Sequence, residues 1–252
     1  MLFYLKETAD DYLGDPLISE PAAAAVAYGL HLNIESERRT CLIFDLGGGT
    51  FDVAIAEFHK KKMKIMAIDG DAYLGGEDFD NSMMQYCVDV FEREHGVDLL
   101  RVGGKAERSR RKQRIKMECE NQKRALTFRP DVKVSIDAIY KENSLTVGFS
   151  RDTFSELIKP HLDKCMKIVD QILANCQMKE THINDIMIVG GSSRIPYVQS
   201  RLSEKFGGRS LLKRIAPELA VAHGAALVAY HSENPELLNV AIQDLIMRPG
   251  PE

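Results

Sequence analysis

The chain has 252 residues, 44% hydrophobic content and a formal net charge of -4. That size suffices for one substantial core or two lobed halves, and the charge gives no general attraction to nucleic acid or acidic membranes. No stretch approaches the about 20 apolar residues of a membrane span, and residues 1–13 are acidic and amphipathic, unlike a signal peptide. We therefore expect a cytoplasmic or nuclear protein. The five cysteines lack paired metal-site spacing, which favours buried reduced thiols.

The first predicted elements are one helix and three strands. An alanine-rich segment with Pro21 at its first position predicts a helix over 20–30. A polar connector over 31–39 follows. Apolar and alternating segments then predict strands over 41–44, 51–58 and 63–68, the last two joined by a lysine-rich turn at 60–62. These strands would form a meander.

The later elements predict an inserted subdomain and a second strand-to-loop unit. Helical patterns cover 78–94 and 107–126, strand patterns cover 132–139 and 144–149, and further helices are expected over 151–175. The basic residues of the second helix are interleaved with acids, which favours a solvated face over a nucleic-acid site. A final apolar strand over 186–189 precedes helical spacing at Ile195, Val198 and Leu202.

The most informative motif is a glycine turn between two strands. Asp45 ends the first strand, Gly47, Gly48 and Gly49 form the turn, and Thr50 and Asp52 begin the next strand. Glycine lets a backbone adopt positive φ and approach an anion closely, so such a turn can offer N–H groups to phosphate. The carboxylates could serve a metal or water. A plain hairpin turn is the alternative.

A second glycine motif follows the strand over 186–189. Gly190 and Gly191 lead into Ser192, Arg194 and Ile195, and a polar helix start beside paired glycines suits ribose or phosphate. Neither motif is a P-loop or a dinucleotide fingerprint, because no Lys-Ser/Thr or helix follows the first set of glycines.

Several motifs in order resemble the heat-shock seventy (DnaK-like) chaperones. They are the segments at 20–29, 45–53, 74–81, 119–126, 189–196 and 220–226. The resemblance implies an α/β, actin-like or ribonuclease H-like ATPase fold, mainly its second lobe with an inserted α+β subdomain, and ATP or ADP with Mg²⁺ as cofactors. It assigns 1–35 to a remnant of the first lobe and 36–240 to the second lobe. The insertion covers about 78–150, and 241–252 begins an interdomain linker.

The resemblance also implies roles for individual residues. Family catalytic positions fall on Glu20, Asp45, Thr50 and Asp52, with Asp45 and Glu20 reaching the metal only through water. Nucleotide-binding positions fall on Gly47, Gly48, Gly49, Thr50, Gly76, Glu77, Glu120, Lys123, Arg124, Thr127, Gly190, Gly191, Ser192, Arg194, Ile195 and Glu218. Adenine would stack between Arg124 and Arg194. Simpler alternatives are a Glu120–Arg124 salt bridge within one helix and helix-start charges at Glu20 and Glu77.

The family's first phosphate loop and its catalytic lysine have no counterpart in the sequence. We therefore expect a stress-response chaperone component that binds adenine nucleotide weakly and hydrolyses it poorly or not at all. The alternative is a noncatalytic module that binds nucleotide-exchange factors or J-domain proteins, and a small-metabolite kinase ranks last. We also expect the alanine-rich helix to lack a sheet to pack on, so that a fragment over 36–239 behaves better than the whole chain.

Overall fold

A five-stranded sheet with a hydrophobic core on each face forms the centre of the protein. We describe it from a computed structural model, in which residues 19–29, 38–59, 62–213 and 215–232 are described. The predictions for residues 1–13, for the turn at 60–61, for the linker at 241–252 and for most of the connector lie outside those residues. The strands are β1 (Arg39–Leu46), β2 (Phe51–His59), β3 (Lys62–Asp71), β6 (Asp185–Val189) and β7 (Leu211–Leu212).

The sheet combines an antiparallel meander with a parallel half. Its order is β3-β2-β1-β6-β7, where β1 to β3 are antiparallel and β6 is parallel to both β1 and β7. The meander is confirmed. β1 continues to Leu46, beyond the predicted end, because Asp45 pairs with Asp52 of β2. Asp45 also lies opposite Val189 of β6, so the two glycine motifs leave the sheet at the same edge.

Side chains alternate between two cores along each central strand. Leu42, Phe44 and Leu46 enter the large-residue core, which we define by Phe44, Phe51, Phe79, Phe91 and Ile188. Cys41 and Ile43 enter the small-residue core, which we define by Ala22, Ala24, Ala25, Ile43 and Ala56. Because both faces are covered, β1 and β6 read as continuous apolar runs rather than alternating ones.

The helices are α1 (Glu20–Gly29), α2 (Gly76–His95), α3 (Lys105–Leu126), α4 (Arg151–Asn175), α5 (Pro196–Lys205) and α6 (Ala220–Ser232). Short 3₁₀ turns occupy Glu180–His182 and Gly191–Arg194. A separate hairpin pairs β4 (Asp131–Tyr140) with β5 (Asn143–Ser150). Together with α2 and α3 it packs on the large-residue core, and the boundaries of an inserted subdomain there stay a prediction.

Two expectations about helices are wrong. Residues 151–175 form one helix that includes Pro160, because burial of the Ile158, Leu162 and Val169 stripe outweighs the hydrogen bond that proline removes. The second concerns α1, which does not lack a sheet. Its residues from Pro21 to Tyr28 are all buried, five of them in the small-residue core, and the Tyr28 hydroxyl donates to the carbonyl oxygen of Ile188 at 3.1 Å.

A further helix covers α1 from the outside. Gly224 of α6 lies so close to α1 that a Cβ there would overlap the carbonyl group of Ala23. Burial raises the pKa of Tyr28 to about 12. Among the described residues, no helix combines the length and apolar character needed to cross a membrane.

Candidate functional site

Three backbone loops meet at the carboxyl ends of β1 and β6. We call them the glycine clip (residues 45–52), the second loop (residues 74–78) and the third loop (residues 190–195). The clip closes on itself, because the Gly47 N–H donates to the Thr50 carbonyl oxygen at 3.0 Å. Gly48, Gly49 and Thr50 are exposed, and nothing lies within 4 Å of where a Cβ of Gly48 or Gly49 would be. The tip of the clip therefore has room for a ligand.

The second loop is held against the clip by backbone hydrogen bonds. The Gly76 N–H donates to the Gly47 carbonyl oxygen at 3.1 Å, and the Glu77 N–H donates to the Gly48 carbonyl oxygen at 2.7 Å. A Cβ on Gly75 would stand 2.6 Å from the Gly48 oxygen. Asp78 accepts from the Gly75 N–H at 2.9 Å and so caps the start of α2. Position 75 therefore requires glycine, because a side chain there would clash with the Gly48 carbonyl oxygen.

The third loop meets the clip from the other side. The Ser192 hydroxyl donates to the Gly47 carbonyl oxygen at 2.8 Å. Gly190 has φ 80°, and its N–H donates to the Pro217 carbonyl oxygen at 3.0 Å. A Cβ on Gly190 would overlap the carbonyl group of Leu46. The helix that follows begins only at Pro196, so a 3₁₀ turn rather than an α-helix start presents Gly191 and Arg194.

Lys123 joins α3 to this junction. Its ammonium donates to the Gly76 carbonyl oxygen at 2.8 Å and to the Asp80 carboxylate at 2.7 Å, and both side chains are buried. The Lys123 ammonium therefore already donates hydrogen bonds to two groups of the protein. Sequence reasoning assigned no role to Asp80, which lies 43 residues from Lys123 on α2, although its place in the 74–81 motif was the available signal.

Three of the predicted nucleotide-binding residues, Lys123, Thr127 and Ile195, line a narrow cleft between the end of α3 and the third loop. This cleft, of about 20 Å³, is lined by Lys123, Thr127, Arg151, Ile195 and Tyr197 among others. Arg151 holds the end of α3 beside this cleft by donating to the carbonyl oxygens of Leu126 and Thr127 at 2.9 Å each. It is a second supporting residue that sequence reasoning missed.

Both arginines proposed to stack on adenine are held by a neighbouring glutamate. Glu120 accepts from Arg124 at 2.6 Å within α3, as the simpler alternative predicted. Glu218 accepts from Arg194 at 2.7 to 3.0 Å through both carboxylate oxygens. A hydrogen bond from its own backbone and the Arg194 guanidinium lower the pKa of the Glu218 carboxyl. Each guanidinium group is thus paired with a carboxylate of the protein.

Three carboxylates gather on the α1 side of the clip. Asp45 is 7% exposed, and burial, then the charges of Glu20 and Asp52, raise its pKa to about 7. Burial and Glu20 also raise the pKa of Asp52. Glu20 itself is exposed at the start of α1. Within the described residues, no cluster of three or more His, Cys, Asp or Glu side chains is arranged to hold a metal ion directly.

Glu77 points away from this group. It is exposed and accepts from Lys116 of α3 at 2.8 Å. This hydrogen bond and the Lys116 charge lower the pKa of Glu77. Its backbone N–H, rather than its carboxylate, therefore belongs to the junction with the clip.

Comparison with known proteins agrees with these motifs. The family model described as Hsp70 protein matches residues 15–247. The chain belongs to the Hsp70 family. It is 35% identical over 263 residues to heat shock cognate 70 kDa protein 3 of Dictyostelium discoideum, which covers 91% of this chain and 41% of that protein. It is 37% identical over 213 residues to heat shock 70 kDa protein of Neurospora crassa, covering 84% and 32%.

A ribosome-associated molecular chaperone of Zygosaccharomyces rouxii is 36% identical over 211 residues, covering 84% of this chain and 33% of that protein. The chain thus spans about a third to two fifths of the length of these relatives. The resemblance to heat-shock seventy chaperones is confirmed, and the mixed α/β sheet is consistent with the actin-like ATPase fold of the Hsp70 nucleotide-binding domain. The roles assigned to single residues stay predictions.

Proposed function

We propose that the chain is an Hsp70-type chaperone component that binds ADP or ATP at the junction of the three loops. The observation that carries the proposal is the position of Gly76. A Cβ there would overlap the Ser192 hydroxyl and lie 3.2 Å from the Lys123 ammonium and 3.4 Å from the Gly47 carbonyl oxygen. The clip, the second loop, the third loop and α3 therefore converge on one residue without a side chain.

The exposed tip of the clip suits the phosphates. Gly48, Gly49 and Thr50 offer backbone N–H groups and one hydroxyl, and no side chain competes for the space beside the two glycines. The adenosine would lie toward Thr127, Ile195 and the arginines at 124 and 194. An adenine ring between two guanidinium planes gains cation–π and stacking energy.

The carboxylates of Glu20, Asp45 and Asp52 fit a Mg²⁺ ion that keeps its water. Burial, and then the charges of Glu20 and Asp52, raise the pKa of Asp45, and a bound cation would lower it again. Mg²⁺ prefers oxygen ligands and retains several waters, so a direct cage of protein ligands is not required. Bound there with a nucleotide, Mg²⁺ would neutralise phosphate charge, while the chain's own carboxylates orient its water shell.

Hydrolysis by this chain is proposed to be poor. Phosphoryl transfer depends on positioning and on cations around the transferred group. Lys123, the lysine that reaches the junction, is bonded to Asp80 and Gly76. Purified 252-residue chain should release phosphate at the background rate. Turnover that disappears in Thr50→Ala would contradict this part of the proposal.

Calorimetric titration with ADP and Mg²⁺ tests the binding itself. We expect a weak Kd, about micromolar to millimolar, or about −8 to −4 kcal/mol. Arg194→Ala should raise the Kd about tenfold or more. The matched control is Arg201→Ala, because Arg201 is also partly exposed and paired to a carboxylate, Asp163, but lies on α5 outside the loops. Equal Kd values for all three proteins would show that the adenosine side is misassigned.

A noncatalytic interaction module is the second candidate. β3 lies at one edge of the described sheet, and its Met66 and Ile68 side chains are 39% and 38% exposed. An open strand edge with apolar side chains favours protein binding, and nucleotide-exchange factors or J-domain proteins are the proposed partners. Absence of any ADP binding at millimolar concentration, together with binding of such a partner that Met66→Lys abolishes, would favour this candidate over the first.

A further inference from the structure

A second pocket lies at the opposite end of α3 from the three loops. It has a volume of about 300 Å³ and opens between the first turns of α3 and the turn that joins β4 to β5. Arg110 and Arg124 are fourteen residues apart on α3, which corresponds to about 21 Å along the helix axis. The pocket is therefore separate from the candidate nucleotide site.

Positive charge dominates the lining of this pocket. Arg110, Arg111, Arg114 and Lys141 contribute four cations, and Glu107 contributes the one carboxylate. Glu107 lies 3.9 Å from Arg111. Within the described part of the chain, no carboxylate lies within ion-pair distance of Arg110, Arg114 or Lys141. Three like charges around one cavity repel one another, and a bound anion would relieve that repulsion.

Buried groups hold the frame of the pocket in place. Arg111 is 7% exposed and donates to the carbonyl oxygens of Leu99 and Val102. Its guanidinium carbon lies 5.5 Å from the centre of the Tyr140 ring, and the Lys141 ammonium lies 5.4 Å from the same centre. Arg114 donates to the Asp137 carbonyl oxygen at 3.1 Å. Arg111 is thus anchored to the segment before α3, and Arg114 to β4.

The hairpin backbone is distorted at the same place. β4 and β5 pair regularly up to Ile136 and Leu145, the register then shifts, and pairing resumes at Tyr140 and Asn143. Ala138 and Lys141 have φ of 46° and 53°. Non-glycine residues in this left-handed region are uncommon, and such outliers cluster at ligand sites. The distortion places Tyr140 and Lys141 beside α3.

We propose that this pocket binds a small ligand that carries two or more phosphate groups. Guanidinium groups offer forked N–H donors that match phosphate oxygens, which a point charge does not. The volume lies at the lower limit of small-molecule pockets. Unpaired cations on both the helix and the turn would each meet one phosphate, so multiply charged ligands bind better than single anions.

Calorimetry with inorganic tripolyphosphate as the probe tests the proposal. The pocket variant is Arg110→Gln with Lys141→Gln, because both side chains are exposed and leave the buried Arg111 intact. The matched control is Lys112→Gln with Arg129→Gln, which removes two exposed charges from outside the pocket. We expect the pocket variant to raise the Kd about tenfold or more and the control to change it less than about twofold. Backbone amide shifts in NMR spectra should centre on Arg110, Tyr140 and Lys141.

Other outcomes overturn the proposal. Equal loss of affinity in both variants would mean that tripolyphosphate responds only to net charge. Shifts centred on Gly48 and Thr50 would place it at the clip. No binding at millimolar concentration would remove the site altogether. An acidic peptide or single-stranded DNA that binds through Arg110 and Lys141 more tightly than tripolyphosphate would identify a macromolecular partner instead.

Discussion

The two faces of the central sheet are packed by different means. On the large-residue core, bulky side chains such as Phe44 and Phe51 fill the space, with ring centroids 4.8 Å apart. On the small-residue core, alanines of α1 and Gly224 of α6 let helix backbones approach closely. Stability on the first face depends on bulky side chains that fill the core. Stability on the second face depends on small residues that leave no side-chain atoms between the two helices. Removing atoms should damage the first face, and adding atoms should damage the second.

Removing α1 should have the largest effect, because it uncovers the whole small-residue core. A fragment that begins at Arg38 exposes Ile43, Ala54 and Val189 to water, and it loses the Tyr28 hydrogen bond to Ile188. We expect a loss of stability above the about 3–5 kcal/mol of a single large core truncation. Urea unfolding and dye binding should be compared with a fragment that begins at Ser19 and retains α1.

This expectation reverses the one drawn from the sequence, in which a fragment over 36–239 behaves better than the whole chain. Cooperative unfolding of the Arg38 fragment at the same urea midpoint as the Ser19 fragment would mean that α1 contributes little. Aggregation of both fragments would instead mean that an exposed surface other than the small-residue core causes association.

Phe44→Ala should have the next largest effect, because it leaves a cavity in the large-residue core. Phe44 is fully buried and packs against Phe51. We expect a loss of about 3–5 kcal/mol in the free energy of unfolding. Phe44→Leu should cost less than Phe44→Ala, because leucine leaves a smaller cavity. Urea denaturation at constant m-value measures both, and Met66→Ala on the exposed side of β3 serves as the control.

Gly224→Ala tests the opposite face by adding one methyl group. In an open helix interior this change stabilises by about 1 kcal/mol. Here the new Cβ would overlap the backbone of Ala23, which no side-chain rotation can relieve, so α1 or α6 must shift. We expect a loss of about 1–3 kcal/mol.

The control for that change is Gly148→Ala on β5, where nothing lies within 4 Å of the new Cβ. Its thermal midpoint should stay the same or rise. A rise in both variants would show that the α1–α6 contact is looser than the backbone positions indicate.

The contrast between the faces also explains how far the sequence could predict the fold. Leu42, Phe44 and Leu46 alternate with Cys41 and Ile43 in one apolar run, so β1 was predicted, although it extends beyond the predicted bounds at both ends. The short strand β7 was not predicted. The alanine-rich helix is apolar on all sides, which indicates burial. Which surface buries it depends on Gly224, about 200 residues away, and local pattern carries no such information.

The sequence likewise predicted only the local features of the candidate site. Glycine loops are local, so the residues of the clip and the third loop could be found from their motifs. The Glu120–Arg124 pair is also local, at spacing i and i+4. The Lys123–Asp80 bond and the Arg151 bonds to Leu126 and Thr127 join different helices. Those contacts depend on how the helices are arranged, and spacing along one helix could not reveal them.

Asp45→Asn should have the smallest effect on stability and the most specific dependence on pH. Burial and two neighbouring carboxylates raise the Asp45 pKa from 3.8 to about 7. The folded protein therefore holds a proton that the unfolded chain releases between about pH 4 and 7, so rising pH through this window destabilises the fold. Asparagine removes the charge, and we expect a gain of about 1 kcal/mol at pH 8 that shrinks as the pH falls toward 4.

The measurement is urea unfolding of both proteins from about pH 5 to 8, with the exposed Asp131→Asn as the control for a lost carboxylate. Because Asp45 is the buried member of the proposed Mg²⁺ site, the same variant should also lose any Mg²⁺ dependence of ADP binding. A variant less stable than the wild type at pH 8 would mean that the Asp45 carboxylate is stabilised by its surroundings. The raised pKa would then not reflect a buried charge that destabilises the small-residue face.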